Sequence, residues 1–191
     1  MTDLHEYLNS ITSLSKETWH EVKLLFTETK LQKGDFFSVE GEIAKKIGFL
    51  SQGILRAFYR GSGGIEYNKH FFTAPCMAGA YSSLITSKPN LINQQALSDC
   101  TLWVADYKAL CKLYDVHADL ERIGRKLAEL YFVNKEQREI EIVLLDASKR
   151  YQIFQEQYPG LEQLIPQYHI ASYLGISPTQ LSRIRNKRAK K

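Results

Sequence analysis

From Pro178 onward the bases Arg183, Arg185, Lys187, Arg188, Lys190 and Lys191 occur with no acid among them, and the hydrogen-bonding side chains Thr179, Gln180 and Ser182 stand just ahead of them. A guanidinium fork matches the paired acceptors on a guanine edge, a carboxamide matches adenine, and hydroxyl or ammonium groups meet phosphate oxygens. This chemistry fits double-stranded DNA. Elsewhere reactive chemistry is scarce. His5, His20, His70, His117 and His169 are scattered. Cys76, Cys100 and Cys111 are odd in number and widely spaced, which argues against a disulfide framework and against a Cys-x-x-Cys metal site. No carboxylate pair, nucleophile with base, or metal cluster has workable spacing. The chain is therefore expected not to be an enzyme, to hold no metal or other cofactor, and to keep its thiols free and buried.

The elements that must present these groups are legible in QYHIASYLGISPTQLSRIRNKRAKK, Gln167 to Lys191. Ile170, Ala171 and Leu174 fall at helical spacing, and Gly175 follows where a helix turns left-handed to stop. Ser177 is a natural N-cap, Pro178 suits the first helical position, and Gln180 completes a Ser-x-x-Gln capping box. Leu181 and Ile184 point back toward Ile170, Leu174 and Ile176, which leaves Thr179, Gln180, Ser182, Arg183 and Arg185 outward. This is a helix-turn-helix whose second helix, Pro178 to Lys187, has a polar reading face. Arg183 is the expected guanine contact, and Gln180 reads adenine or merely completes the cap. Thr179 and Ser182 meet a base edge or a phosphate, while Arg185, Lys187 and Arg188 supply phosphate contacts. Tyr168 and His169 stand at the start of the first helix, at the DNA backbone or in solvent. The alternative is an ordinary helix pair with a solvated basic tail.

Upstream, Leu4 to Phe26 reads as helices, the second capped at Ser15. From about Thr29 to Asp106 short β-branched and aromatic runs alternate with glycine: Phe36 to Val39, Ile47 to Ser51, Ile54 to Tyr59, Ile65 to Phe71, Asn93 to Leu97 and Thr101 to Ala105. Such strands imply a closed or double-sheet β structure. Gly61-Ser62-Gly63-Gly64 joins two strands without a following Lys-Ser/Thr, so it reads as a hairpin turn and not a phosphate loop. A metal-dependent β-roll enzyme would need clustered histidines, and His70 alone lies in the strand region. A short helix over Tyr107 to Leu113 is followed by a long one from about His117 to Leu145, about 43 Å at the usual rise. Leu120, Ile123, Leu127 and Leu130 make one stripe, continued by Asn134 as a polar register position, and this is the expected dimer seam. Val133, Ile140, Val143 and Leu144 form a second stripe. A further helix runs from Asp146 through Tyr158, and Pro159-Gly160 stops it.

The run IASYLGISPTQLSRIR, with KRY at Lys149 to Tyr151 and the glycine-spaced KGDFFSVEGE at Lys33 to Glu42, resembles the cyclic-AMP receptor protein/Fnr family of bacterial transcription regulators over nearly the whole chain. The resemblance implies an α+β fold with an N-terminal jelly-roll sensor of the cyclic-nucleotide-binding kind over 1–114, a long dimerisation helix over 115–145 and a helix-turn-helix domain over 146–191. It implies a homodimer on a palindromic operator with half-sites about 34 Å apart, and RNA polymerase as a further candidate partner. In that family a cyclic nucleotide lies on a short helix N-terminus, with an arginine on its phosphate and a carboxylate on its ribose. Here the expected Gly-Glu reads Gly79-Ala80, and the arginine position falls near Asn90 with Lys88 close by. Cyclic-AMP binding in the usual manner is therefore not expected. Gly79, Ala80, Tyr81, Ser82, Ser83, Asn93 and Gln94 line a candidate pocket for another, unknown small-molecule effector, or are satisfied polar groups in a filled barrel. The chain ends almost at once after the second helix, so the β-hairpin wing many members carry is expected to be absent.

Hydrophobic content of 44% and charged content of 24% suit a globular protein with its own core. The net charge of +4 is mild, but its concentration at the C-terminal end points to an acidic partner there. No stretch is apolar for the ~18 residues a membrane span needs, and an acid stands at Asp3 where a signal peptide carries bases. A cytoplasmic protein with no membrane partner is expected. The competing function is a ligand sensor or protein-interaction module whose helix-turn-helix no longer reads DNA; it would bind DNA weakly and with little salt dependence.

Overall fold

A computed structural model describes residues 1–189, and the bases Lys190 and Lys191 lie outside the described residues. The elements in chain order are α1 (Thr2–Ile11), α2 (Lys16–Leu25), β1 (Thr27–Leu31), β2 (Phe36–Ser38), β3 (Lys46–Gln52), β4 (Ile54–Arg60), β5 (Glu66–Thr73), β6 (Cys76–Ala78), α3 (Tyr81–Thr86), β7 (Asn93–Ala96), β8 (Cys100–Asp106), α4 (Tyr107–Tyr114), α5 (Ala118–Leu144), α6 (Ala147–Gln157), α7 (Leu161–Leu164), α8 (Gln167–Leu174) and α9 (Pro178–Ala189). Two compact units result, one of Met1–Ala57 with Phe71–Tyr131, the other of Phe58–His70 with Phe132–Lys191. The division passes through α5, whereas the sequence divides between elements. No helix of the described residues is long and apolar enough to cross a membrane.

The strands form two antiparallel sheets, in the orders β1-β8-β3-β6 and β2-β7-β4-β5. In the first, β8 runs between β1 and β3, with Cys100 opposite Leu31 and Val104 opposite Gly48. β3 is buried on both faces, as its run Gly48-Phe49-Leu50 demands. Leu50 joins Leu55, Ala57, Ala96, Leu102 and Val104 in one core cluster. Phe49 and Met77 join Leu4, Val22, Leu110, Leu120 and Ile123 in another, where α1, α2, α4 and the start of α5 cover the first sheet. The turn from β3 to β4 requires glycine: Gly53 has φ +100°, and a Cβ there would lie 2.5 Å from the Asp99 carbonyl oxygen. The thiols are free, Cys100 buried and Cys76 and Cys111 half-buried. Burial pushes the Cys76 thiol up to about 12, which keeps it protonated and unreactive at neutral pH.

The start of α5 is fastened by side chains. The Ser15 Oγ accepts the Thr18 N–H at 3.0 Å and so caps α2. Asp119 then accepts the Ser15 N–H at 2.8 Å and the Thr18 hydroxyl at 2.8 Å. Burial acts to raise the Asp119 carboxyl, but these bonds and the Leu120 N–H outweigh it and hold the group below its ordinary value.

This anchoring corrects the expected dimer seam. Leu120 and Ile123 are 3% and 2% exposed inside the chain's own core, and Leu127 packs against the same cluster. They face inward because Phe49, Met77 and Leu110 need cover, so they are not available to a second chain. Leu130 and Asn134 are exposed. Farther along α5 the exposed apolar residues Leu130, Val133, Ile140 and Leu144 recur with the exposed Gln137 at alternating spacings of three and four. The exposed stripe is thus built mainly from the second set, with Gln137 as the polar residue within it.

Candidate nucleic-acid interface

The second unit carries the helix-turn-helix on an aromatic core. Phe154 packs against Tyr158 and Tyr173 with ring centroids 5.4 and 5.7 Å away, and Tyr158 meets Tyr173 edge-on at 5.9 Å. Leu161, Ile165, Ile170, Leu174 and Leu181 complete the buried set. Two arginines take the last carbonyls of α8. The Arg138 guanidinium of α5 stacks 3.9 Å from the Tyr173 ring centroid and donates to the Tyr173 carbonyl and, at 3.0 Å, to Glu141. Arg150 of α6 donates to the Leu174 carbonyl at 3.2 Å and to Leu145 at 2.5 Å. Carbonyls that no later helical residue could satisfy are thereby paired.

The turn follows its local chemistry. Gly175 has φ +67° and ψ 36°, its N–H donates to the Ser172 carbonyl at 3.2 Å, and the Ile176 N–H donates to the Ala171 carbonyl at 3.0 Å. This pair of bonds closes a Schellman end. Gly175→Ala is expected to lower stability by about 1–2 kcal/mol, because an L side chain resists that conformation while the surrounding space is open. A urea titration checks it, and an unchanged midpoint would contradict the strain. The Ser177 Oγ accepts the Gln180 N–H at 3.2 Å, and the Ser177 carbonyl accepts the Leu181 N–H at 3.0 Å.

α9 therefore leaves the turn with its apolar side anchored by Leu181, 1% exposed, while Thr179, Gln180, Ser182, Arg183, Arg185, Lys187 and Arg188 are all exposed. Helical geometry sorts them. Thr179, Ser182 and Arg183 lie on the side away from Leu181, and Gln180 and Lys187 flank them. Arg188 lies nearer the anchored side, its guanidinium carbon 5.9 Å from the centroid of the Tyr151 ring. Arg185 interacts with the Tyr151 hydroxyl, which donates to Glu162. Asn186 is an exposed residue that the sequence analysis left out. Its signal was available: it follows Thr179 by seven residues and Arg183 by three, which puts it on the same line. Tyr168 is exposed and borders a cleft of about 450 Å³ beside Ser177, Pro178 and Gln180. His169, in contrast, is 4% exposed and cannot meet a backbone, because Asn68 holds it.

The candidate effector residues all lie in the first unit. Gly79 and Ala80 precede α3 as expected, Tyr81 and Ser82 are exposed, and Ser83 is buried. The Ser83 hydroxyl donates to the Lys88 carbonyl at 2.6 Å and its Oγ accepts the Ala44 N–H at 3.0 Å. Asn93 accepts the Glu40 N–H at 3.0 Å and donates to the Glu40 carboxylate at 3.3 Å. Ser83 and Asn93 are thus the satisfied polar groups of the second expectation. Gln94, 2% exposed, carries an Oε1 without a hydrogen-bond partner among the described residues. Asn90, where the family's arginine would stand, is 4% exposed and joins loops, donating to the Ser38 hydroxyl at 2.8 Å and accepting the Ile92 N–H at 3.1 Å. A cleft of about 500 Å³ opens instead between Leu84, Ile85, Tyr107, Lys108, Cys111 and Lys112. Among the described residues no group of His, Cys, Asp and Glu could hold a metal ion.

No family model matches the sequence, and no curated protein matches it. Solved structures do. FixK2 from Bradyrhizobium japonicum superposes with a TM-score of 0.77 at 16% identity, over 86% of this chain and 85% of that one. A putative transcriptional regulator of the Crp/Fnr family from Eubacterium rectale gives 0.72 at 16%, over 93% and 85%. The c-di-GMP responsive global regulator CLP of Xanthomonas campestris gives 0.69 at 13%, over 92% of each chain. Identities this low carry the fold alone, and the fold is the one these solved structures share: a β-roll, a long helix and a helix-turn-helix.

Proposed function

We propose that the chain is a cytoplasmic, sequence-specific transcription regulator that binds a palindromic DNA operator as a homodimer and couples it to an effector other than cyclic AMP. The observation that carries this reading is α9: capped at Ser177, anchored by Leu181, free of acids over Pro178–Ala189, and exposing Thr179, Ser182, Arg183 and Asn186 together. Two copies pair along Leu130, Val133, Ile140 and Leu144, and each α9 enters one major groove. Catalysis has no part in this reading. Asn90 in place of an arginine, and Ala80 in place of a carboxylate, speak against cyclic AMP as the signal.

Arg183→Ala should cost about 1–3 kcal/mol on the operator the protein selects from genomic fragments and should relax preference at one base position. Lys187→Ala should weaken all duplexes alike and reduce the salt slope by about one. Titrations at two salt concentrations, with and without cyclic AMP, read both variants. Equal losses on every sequence for both would refute the base-reading role, and a cyclic-AMP response would refute the assignment at Asn90.

A further inference from the structure

β5 is the last strand of its sheet, so one row of its backbone groups lacks a neighbouring strand. At Glu66 and Asn68 a side chain of the second unit stands in for that neighbour. The Ser172 hydroxyl donates to the Glu66 carbonyl at 2.7 Å, and its Oγ accepts the Asn68 N–H at 3.0 Å. Asn68, 6% exposed, donates through Nδ2 to the His169 carbonyl at 2.9 Å. Two residues along the strand, His70 Nδ1 lies 3.2 Å from the Tyr158 hydroxyl. Burial, with the Lys69 charge, pulls the His70 imidazole down to about 4, so it is uncharged at neutral pH and imposes no buried charge on this contact.

The contact falls on α8, the helix whose Schellman end sets where α9 begins. At its C-terminal end α8 is held by Arg138 and Arg150. Ile170, Tyr173 and Leu174 seat one face of α8 in the core, and the bonds at His169 and Ser172 add a directional tie to the hairpin that apolar packing does not supply. A small pivot matters because two half-sites must be met at a fixed separation.

We propose that Ser172 and Asn68 are positioning residues for DNA reading: they clamp α8 to the β4–β5 hairpin and so fix the direction in which α9 presents Arg183. This rests on the DNA-reading assignment above. Neither residue needs to touch DNA.

The test uses the full chain and the operator it selects. Ser172→Ala should lower operator affinity about tenfold, leave affinity for unrelated duplex within about twofold, and shrink the penalty for one extra base pair between the half-sites. Ser172→Thr, which keeps the hydroxyl, should restore both. In hydrogen exchange the Asn68 amide should be protected in the native chain and exchange faster in Ser172→Ala. Native operator affinity with an unchanged spacing penalty in Ser172→Ala overturns this proposal alone. So does an unprotected native Asn68 amide, or an equal loss on all DNA that tracks a fall in melting temperature. A native chain that binds no duplex removes the DNA-reading assignment first, and this proposal with it.

Discussion

A chain carrying Val133→Glu and Ile140→Glu is expected to sediment as a single subunit and to lose operator binding by at least about a hundredfold. Val133 and Ile140 are 47% and 52% exposed in the isolated chain, flanked by Leu130 and Leu144 at 54% and 73%. Exposed side chains do not hold one chain together, so its fold should survive. Between two chains each contributes about 1.5–3 kcal/mol when fully buried, and glutamates on both copies replace that gain with repulsion and desolvation. A lone subunit then meets a single half-site and falls toward non-specific affinity. Analytical ultracentrifugation and a duplex titration decide the matter. A double variant that remains a dimer places the pairing surface elsewhere.

The second large effect is expected at Arg138→Ala. Its guanidinium occupies three partners at once: the Tyr173 ring, the Tyr173 carbonyl and the Glu141 carboxylate. Removing it leaves Glu141, 8% exposed, without its cation, and leaves a carbonyl at the end of α8 unpaired. Breaking one side of such a buried pair costs about 3 kcal/mol, well above the worth of a surface ion pair. The urea dependence of exchange at the α8 amides reads the loss. A change below about 1 kcal/mol would show that the ring stacking and the Gln157 amide, 3.4 Å from Glu141, hold the joint without it.

Local chemistry was legible in the sequence and non-local choice was not. The end of α8 and the start of α9 follow from Gly175, Ser177 and Pro178, residues whose backbone effects act within a few positions. β1 escaped notice because TETKL is polar and largely exposed, and its strand state comes from pairing Thr27–Leu31 with β8. β6 has three residues, too few to show a period. For α5 the sequence offered two apolar stripes, and the fit of Leu120 and Ile123 to Phe49 and Met77 chose which one turns inward. His169 looked like a surface residue of a polar helix start. Its partner Asn68 lies 101 positions away, beyond the reach of any local pattern. The partners of Ser83 and Asn93, at Ala44 and Glu40, lie beyond local pattern for the same reason.

The Ser172 hydroxyl between Glu66 and Asn68 also bears on how the protein behaves at high concentration. A sheet margin with open donors and acceptors is a template on which a foreign strand can grow into an aggregate. Here a serine occupies that template between Glu66 and Asn68, so the same bond that orients a helix keeps that step of the margin from pairing with another molecule in storage or in a crowded cell.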